Sequence, residues 1–443
     1  MRDLHLDTVS SGPLSYSEER FWQEFGTDRQ TFIKRGTLLE VPLDEGVEME
    51  ALQGLVDTIT ERHENLRTTY DTVAGVPTRR VLPSYRHEII ACDKVPYPFD
   101  GENPDHLTPY DLSRFWLTQK PQGGRMFYLD LKEMIADMGS GARLSAEVEQ
   151  YLGRSPGRPV GSPGATYTEY AIEQRQEAMP EATARFWRET LAGMPPQGAI
   201  SDDGPDPSGD IAGERAMMLP DAGTAGFREF CRSHRISSFM AVDALVRIAL
   251  SALWAVDDVT LVTAASTRPA KYENVVGNFG NNVLLRSRLA AGTTLAGAAE
   301  AARGTVLSAL RHPAQLGKIA ELVDGLEVPP VRIHYLATTS HQHNHMLDSK
   351  PTGATWKEAA RFPGWTLEVG FAEDSRKRVA IWTQYDPRRF HHARIERLMN
   401  ALYTLLVEAC AAGDFTADAE WVRRRLASGL PLGSWEYGTR PAA

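Results

Sequence analysis

The sequence predicts a mixed α/β (α+β) fold in two lobes, on three observations. Within Phe127–Leu152 a stretch of period two passes through a glycine-containing turn into a stretch of helical period. Helical and strand patterns mix along the rest of the chain without a visible repeat. The 443 residues exceed what one hydrophobic core usually holds, so two cores are expected.

Phe127, Leu129 and Leu131 alternate with Tyr128, Asp130 and Lys132, the pattern of a strand with two different faces. Leu144, Val148 and Leu152 recur at helical spacing, and Gly139 and Gly141 give the backbone between them its freedom. The turn Lys132–Gly141 carries titratable groups and is the expected chemical centre. Upstream, Ser15–Trp22 reads as a helix start with acids in its first turn. Thr37–Val41 reads as a strand. Glu48–Glu64 reads as a helix with Leu52, Leu55, Val56 and Ile59 on one face, running into the polar stretch Glu61–Tyr70. Further strands are expected near Thr78–Leu82 and His87–Ile90. Gly153–Gly164, GRSPGRPVGSPG, excludes helix and ladder alike. It is the expected linker, giving an N-terminal lobe 1–152, a linker 153–164 and a C-terminal lobe 165–443. Beyond it come a helical region Thr168–Ala192, a strand Arg215–Leu219, a helix Ala222–Ser233, a buried helix Phe239–Leu253 and a strand Val259–Ala264.

Composition narrows the function classes. Hydrophobic residues at 42% and charged residues at 24% are ordinary for a globular protein. A net charge of −10 argues against a nucleic-acid partner, which normally leaves a basic footprint. Cys92, Cys231 and Cys410 are odd in number and far apart, so they read as buried apolar residues in a reducing compartment. The N-terminus lacks a signal-peptide core, and the best apolar run, Phe239–Val256, is interrupted by Asp243 and Arg247. A core helix and a cytoplasmic protein with no membrane partner are expected. There is no P-loop and no ordered G-x-G-x-x-G, so no nucleotide cofactor is implied. His341, His343 and His345 would share one face of an extended segment, but no acidic or cysteine partner is near in sequence. A solvated loop is favoured over a metal site there. His391 and His392 read as surface residues at a helix start.

ERHENLRTTY, Glu61–Tyr70, resembles the R-H-E-x-L-R-T-x-F signature of the condensation domains of nonribosomal peptide synthetases. LSYSEERFW, Leu14–Trp22, is similar to their opening motif. PYDLSRFW at Pro109–Trp116 resembles the P-F-D-L segment, and YTEYAIEQ at Tyr167–Gln174 the Y-x-D-F-A-x-W segment. ARFWRETLAGMPP stands where the family carries Y-W-x-x-x-L-A-G-x-P-P, and VGNFGNNVLLR, Val276–Arg286, resembles I-G-x-F-V-N-T-x-x-x-R. The motifs occur in family order over nearly the whole chain.

The resemblance implies two chloramphenicol acetyltransferase-like lobes in a V-shaped pseudo-dimer around a tunnel. It implies an enzyme that joins an aminoacyl or acyl thioester, carried on the phosphopantetheine of an acyl or peptidyl carrier protein, to an amine, with no cofactor of its own. The family's H-H-x-x-x-D-G motif falls on Lys132–Met138, where both histidines are absent: the second maps onto Glu133, the aspartate onto Asp137, and the glycine onto Met138 with Gly139 after it. For Glu133 two readings stand open: a solvated or salt-bridged carboxylate, or the group that takes the proton of the attacking amine or orients it. The family pattern implies that Asp137 is structural and pairs with Arg286. Lys132, Gly139, Ser140 and Asn281 are further tunnel candidates, with Lys132 on the opposite strand face from Glu133. Arg62, His63 and Arg67 suit the end of their helix.

The chain begins at Met1 and ends soon after the expected last helix, so a free-standing enzyme with a diffusible amine acceptor is expected. The stand-alone condensing enzymes of lincosamide antibiotics, which join a carrier-bound proline derivative to an amino sugar, are one such type. Two alternatives remain: a non-catalytic docking protein of the same fold, and an acyltransferase to a hydroxyl.

Overall fold

The computed structural model describes residues 7–27, 29–32, 36–95, 106–120, 123–154, 161–195, 200, 203–204, 214–327, 329–336, 367–373, 376–387 and 389–428. The chain divides into two compact units, one of residues 1–178 with 265–281, the other of 179–264 with 282–443. The boundary expected at 153–164 therefore falls inside the first unit, and a stretch from the second half of the sequence returns to that unit. Gly153, at φ +70°, follows a helix end without ending the unit.

The first unit contains β1 (Ser10–Pro13), α1 (Tyr16–Thr27), α2 (Arg29–Phe32), β2 (Gly36–Leu43), α3 (Met49–Arg62), β3 (Thr68–Val73), β4 (Val76–Val81), β5 (Ile89–Ala91), α4 (Pro109–Leu112), β6 (Ser113–Gln119), β7 (Arg125–Lys132), α5 (Met138–Tyr151) and α6 (Tyr167–Gln176). Its strands form one sheet in the order β2-β7-β6-β5 and a smaller one in the order β1-β4-β3. β7 runs antiparallel to β2 and β6, while β5 and β6 are parallel. Phe127, Leu129 and Leu131 point into a core shared with Leu52, Leu55, Val56 and Ile59 of α3 and Leu144 and Val148 of α5. This is the face that the period-two pattern selects. β3 occupies part of the stretch expected as the polar end of a helix, and β6 was not anticipated in the sequence.

The second unit contains α7 (Glu181–Leu191), β8 (Glu214–Met218), α8 (Asp221–His234), α9 (Ser238–Trp254), β9 (Asp258–Ser266), β10 (Gly280–Arg288), α10 (Leu295–Arg311), α11 (Leu316–Leu322), β11 (Val331–Leu336), β12 (Leu367–Glu373), β13 (Val379–Tyr385), α12 (His392–Thr404) and α13 (Ala419–Ala427). Two of these strands reach the boundary: Ala265 and Ser266 of β9 and Gly280 and Asn281 of β10 are grouped with the first unit. The sheet order is β10-β9-β11-β12-β13-β8. The region expected as one helix over Thr168–Ala192 is two, α6 and α7, separated around Met179-Pro180, because proline cannot supply a helical amide.

α9 is the core helix expected from Phe239–Leu253. The two charges that interrupt it neutralise one another: Arg247 Nε lies 2.7 and 2.9 Å from the Asp243 carboxylate oxygens, and Arg247 Nη2 donates to Leu285 O at 2.7 Å. Among the described residues no single helix is long and apolar enough to cross a membrane; α8 and α9 together reach that composition only as a pair bent by 104°. All three cysteines are free, and only Cys410 is buried; Cys92 and Cys231 are half-buried, against expectation.

Candidate active site

The loop 133–137 leaves the end of β7 and enters α5. An Ile135 N–H to Lys132 O hydrogen bond of 3.0 Å closes the turn, and Met134, Ile135 and Ala136 are buried in the core. Lys132 is 1% exposed, whereas Glu133, one residue on, is half-buried. Asp137 is the N-cap of α5 and accepts from the Ser140 amide through Oδ1 at 2.7 Å, satisfying one of the donors that a helix start leaves open. Met138, at the family's glycine position, is 53% exposed, so its bulk meets no steric limit.

The segment 265–281 locks this loop. Asp137 Oδ1 also takes Arg268 Nη2 at 2.7 Å, and Oδ2 takes the Phe279 amide at 3.0 Å. The Ser140 hydroxyl lies 2.8 Å from Asp137 Oδ1 and 2.7 Å from Gly277 O, and it accepts from the Gly277 amide at 2.9 Å. Asn278 Nδ2 donates to Glu133 O at 2.5 Å, while Asn278 Oδ1 accepts from Gly280 N at 2.8 Å. Arg268 spans 3.9 Å to the centre of the Phe279 ring and donates to the carbonyls of Tyr272 and Val275. The Glu133 carbonyl is thus held by Asn278 and the far end of the loop by the contacts of Asp137. Gly277 passes so close to Tyr167 that a Cβ there would stand 2.0 Å from the ring.

Arg286 does not make the expected pair with Asp137. Its guanidinium is taken up by Asp258, at 2.9 and 2.6 Å, and by the carbonyls of Thr190, Ala192 and Gly193. Those partners exhaust its donors, and Arg268 fills the role instead. Asn281, at the start of β10, is 6% exposed. Sequence reasoning missed Arg268 and Asn278. Asn278 stands inside the quoted VGNFGNNVLLR run, whereas Arg268 lies in the unremarked stretch STRPAK.

The other motif residues build a buried polar core in the same unit. Arg79, fully buried, donates to Glu18 Oε1 at 3.2 Å and Glu64 Oε1 at 3.0 Å, and bonds Asn65 and Thr168. Tyr70 donates to Glu18 Oε1 at 2.6 Å. Burial alone would lower the Arg79 pKa, but the Glu18 and Glu64 carboxylates outweigh it and raise it, so the guanidinium stays charged. His63 is engaged by Glu147 of α5, with Nε2 3.1 Å from both oxygens, rather than serving only the end of its own helix. Glu18, Glu64 and Thr168 come from three of the quoted motifs, so those motifs are legible as the fold's polar scaffold.

Burial pushes the Asp130 carboxyl up to about 6, against the pull of the Lys132 and Arg114 charges. Burial likewise pushes His87 down to about 4. Among the described residues no group of three or more His, Cys, Asp or Glu side chains could hold a metal; His341, His343 and His345 lie outside the described residues.

The condensation-domain family model matches residues 147–422. The chain belongs to the condensation-domain family. Its relatives include the isonitrile lipopeptide synthase of Mycobacterium tuberculosis, 28% identical over 449 residues, covering 92% of this chain and 18% of that protein. Across the most similar synthetases the chain spans between 2% and 18% of the relative's length. Among solved structures it is similar to the SgcC5 protein from Streptomyces globisporus, with a TM-score of 0.71 and 20% identity over 91% of this chain and 99% of that one. It is also similar to the X-domain in its complex with OxyB from teicoplanin biosynthesis, with a TM-score of 0.72 and 19% identity over 95% and 98%. These likenesses establish the chloramphenicol acetyltransferase-like fold of condensation domains.

Proposed function

We propose that this condensation domain forms an amide between a carrier-bound aminoacyl or acyl thioester and an amine acceptor in natural-product biosynthesis. The observation that carries the reading is the anchored loop 133–137, held through Asp137 and Asn278, whose half-buried Glu133 the resemblance sets at the family's second histidine. In the reaction the amine nitrogen bonds the thioester carbonyl carbon, the C–S bond breaks and the phosphopantetheine thiol leaves. Glu133 accepts a proton from the attacking nitrogen or holds it by a charge-assisted hydrogen bond. The donor arm belongs to the carrier, and juxtaposition of two reactants supplies much of the rate. The soluble amine acceptor, an amino sugar being one type, is part of the same proposal.

Two further readings have an observation behind them. SgcC5 was solved with a naphthyl ethanediol, which favours a hydroxyl acceptor, and the X-domain was solved with OxyB, which favours a docking role. Mass spectrometry of carrier proteins loaded with candidate acyl groups, incubated with this protein and either amines or alcohols, separates all three. An amide product with release of free carrier thiol supports the proposal, and an ester product supports the second reading. No transfer from any loaded carrier, together with stoichiometric binding of a partner protein, would establish docking instead.

A further inference from the structure

The second unit holds a cationic cavity that the reaction does not use. Phe390, Ile395 and Leu398 anchor the start of α12 in the core, each fully buried. His391, Arg394 and Arg397, three residues apart, fall on one neighbouring stripe of the same helix. Together with Asp203, Leu253 and Ala393 they line a cavity of about 310 Å³.

The chain already places one oxyanion at this helix start. Asp203 accepts from Arg394 Nη2 through Oδ1 at 2.7 Å and from the His391 amide through Oδ2 at 3.2 Å, and its own amide donates to Arg389 O at 2.7 Å. Its side chain is 8% exposed. Arg394 is therefore neutralised, and it is steadied further by its position 5.3 Å from the centre of the Trp254 ring. Arg397 and the His391 imidazole are left over: neither side chain has a hydrogen bond or ion pair with any described residue. Among the described lining residues, Arg394 and the exposed Arg397 outnumber the one carboxylate, Asp203, in a chain whose net charge is −10. Half-buried Leu253 and exposed Ala393 are its apolar lining.

We propose that this cavity binds a phosphate group, free or as the ester of a small molecule, between Arg397, His391 and the start of α12. Arg397 supplies a two-pronged donor suited to phosphate oxygens, and the His391 imidazole adds an N–H donor. The inference stands apart from the proposed condensation reaction and survives its failure.

Calorimetric titration of the intact chain with inorganic phosphate, and separately with glycerol 3-phosphate, at fixed ionic strength and against chloride, tests it. Wild type should show saturable binding. Arg397→Ala should weaken it at least about tenfold, the loss expected for one charge-assisted contact. His391→Ala should weaken it less. Arg185→Ala, which removes an exposed arginine of α7 outside the cavity, should leave binding unchanged. Tighter binding of the ester than of phosphate would assign an ester as occupant, and equal binding would assign free phosphate. Absence of saturable binding, or equal weakening by Arg397→Ala and Arg185→Ala, would overturn the site.

Discussion

The carboxylate of Asp137 and the guanidinium of Arg268 meet at 2.7 Å across 131 residues of sequence, and through this pair the returning segment holds the loop that carries Glu133. The same carboxylate caps α5 and takes the Phe279 amide. Asp137→Ala should therefore cost about 2–3 kcal/mol, combining a lost cap with a lost, mostly buried partner. Arg268→Gln should cost less, since Asp137 keeps its backbone donors. Urea unfolding of the two single variants and the double variant should show non-additivity of about 1 kcal/mol. Additive effects would mean that the pair contributes nothing beyond its separate parts.

Arg79 is surrounded by Glu18, Glu64, Asn65 and Thr168 without access to water. Arg79→Met should leave two buried carboxylates without their counter-charge, at a cost of about 3–5 kcal/mol, read as loss of soluble yield or a lower Tm. Thr168→Val removes one hydroxyl from the same network and should cost about 1–2 kcal/mol in a protein that still folds. A Thr168→Val protein as stable as wild type would show that the network tolerates gaps.

The Asp137–Arg268 pair and the Arg79 network mark how far the sequence could be read. The alternation of Phe127, Leu129 and Leu131 and the helical spacing of Leu52, Leu55, Val56 and Ile59 announced β7 and α3, because burial of one face writes a period into the chain. β3 was hidden because Thr68, Thr69 and Tyr70 are buried although two of them are polar, so the run read as the polar end of a helix. What draws them inside is the network around Arg79, which no local pattern encodes. The loop 133–137 was located from motif order, and the cap role of Asp137 needs only its place before a helix. Its arginine partner depends on where residues 265–281 cross back into the first unit, and spacing along the chain carries no signal for that.

Asp130 gives a pH signature. Its folded pKa, pushed up to about 6 by burial, lies above the unfolded value, so the folded state binds more protons between roughly pH 4 and pH 6. The stability associated with its neutral form is present below that window and is lost as pH rises through it. His87, pushed down to about 4 by burial, acts in the opposite sense over nearly the same range, because the unfolded state then binds more protons. The net curve of wild type should consequently be shallow. Comparing wild type with Asp130→Asn isolates the carboxyl: the variant should be more stable by about 3 kcal/mol at pH 7, and the advantage should shrink towards pH 4. A difference independent of pH would show that Asp130 does not titrate in that window.

The resemblance sets Glu133 at the family's second histidine, and the proposed function assigns it to proton transfer or amine orientation. The decisive measurement is the pH dependence of the amide-forming rate for wild type and Glu133→Gln, with one loaded carrier and one amine. As a general base, Glu133 should give wild type a rising limb that the Gln variant lacks, with a rate loss of about 10²- to 10⁴-fold at the plateau. As an orienting group, it should leave both proteins with the same limb, set by ionisation of the amine, and lower the variant by roughly tenfold. A Glu133→Gln protein that forms amide at the wild-type rate across the whole pH range would contradict both and remove Glu133 from the chemistry.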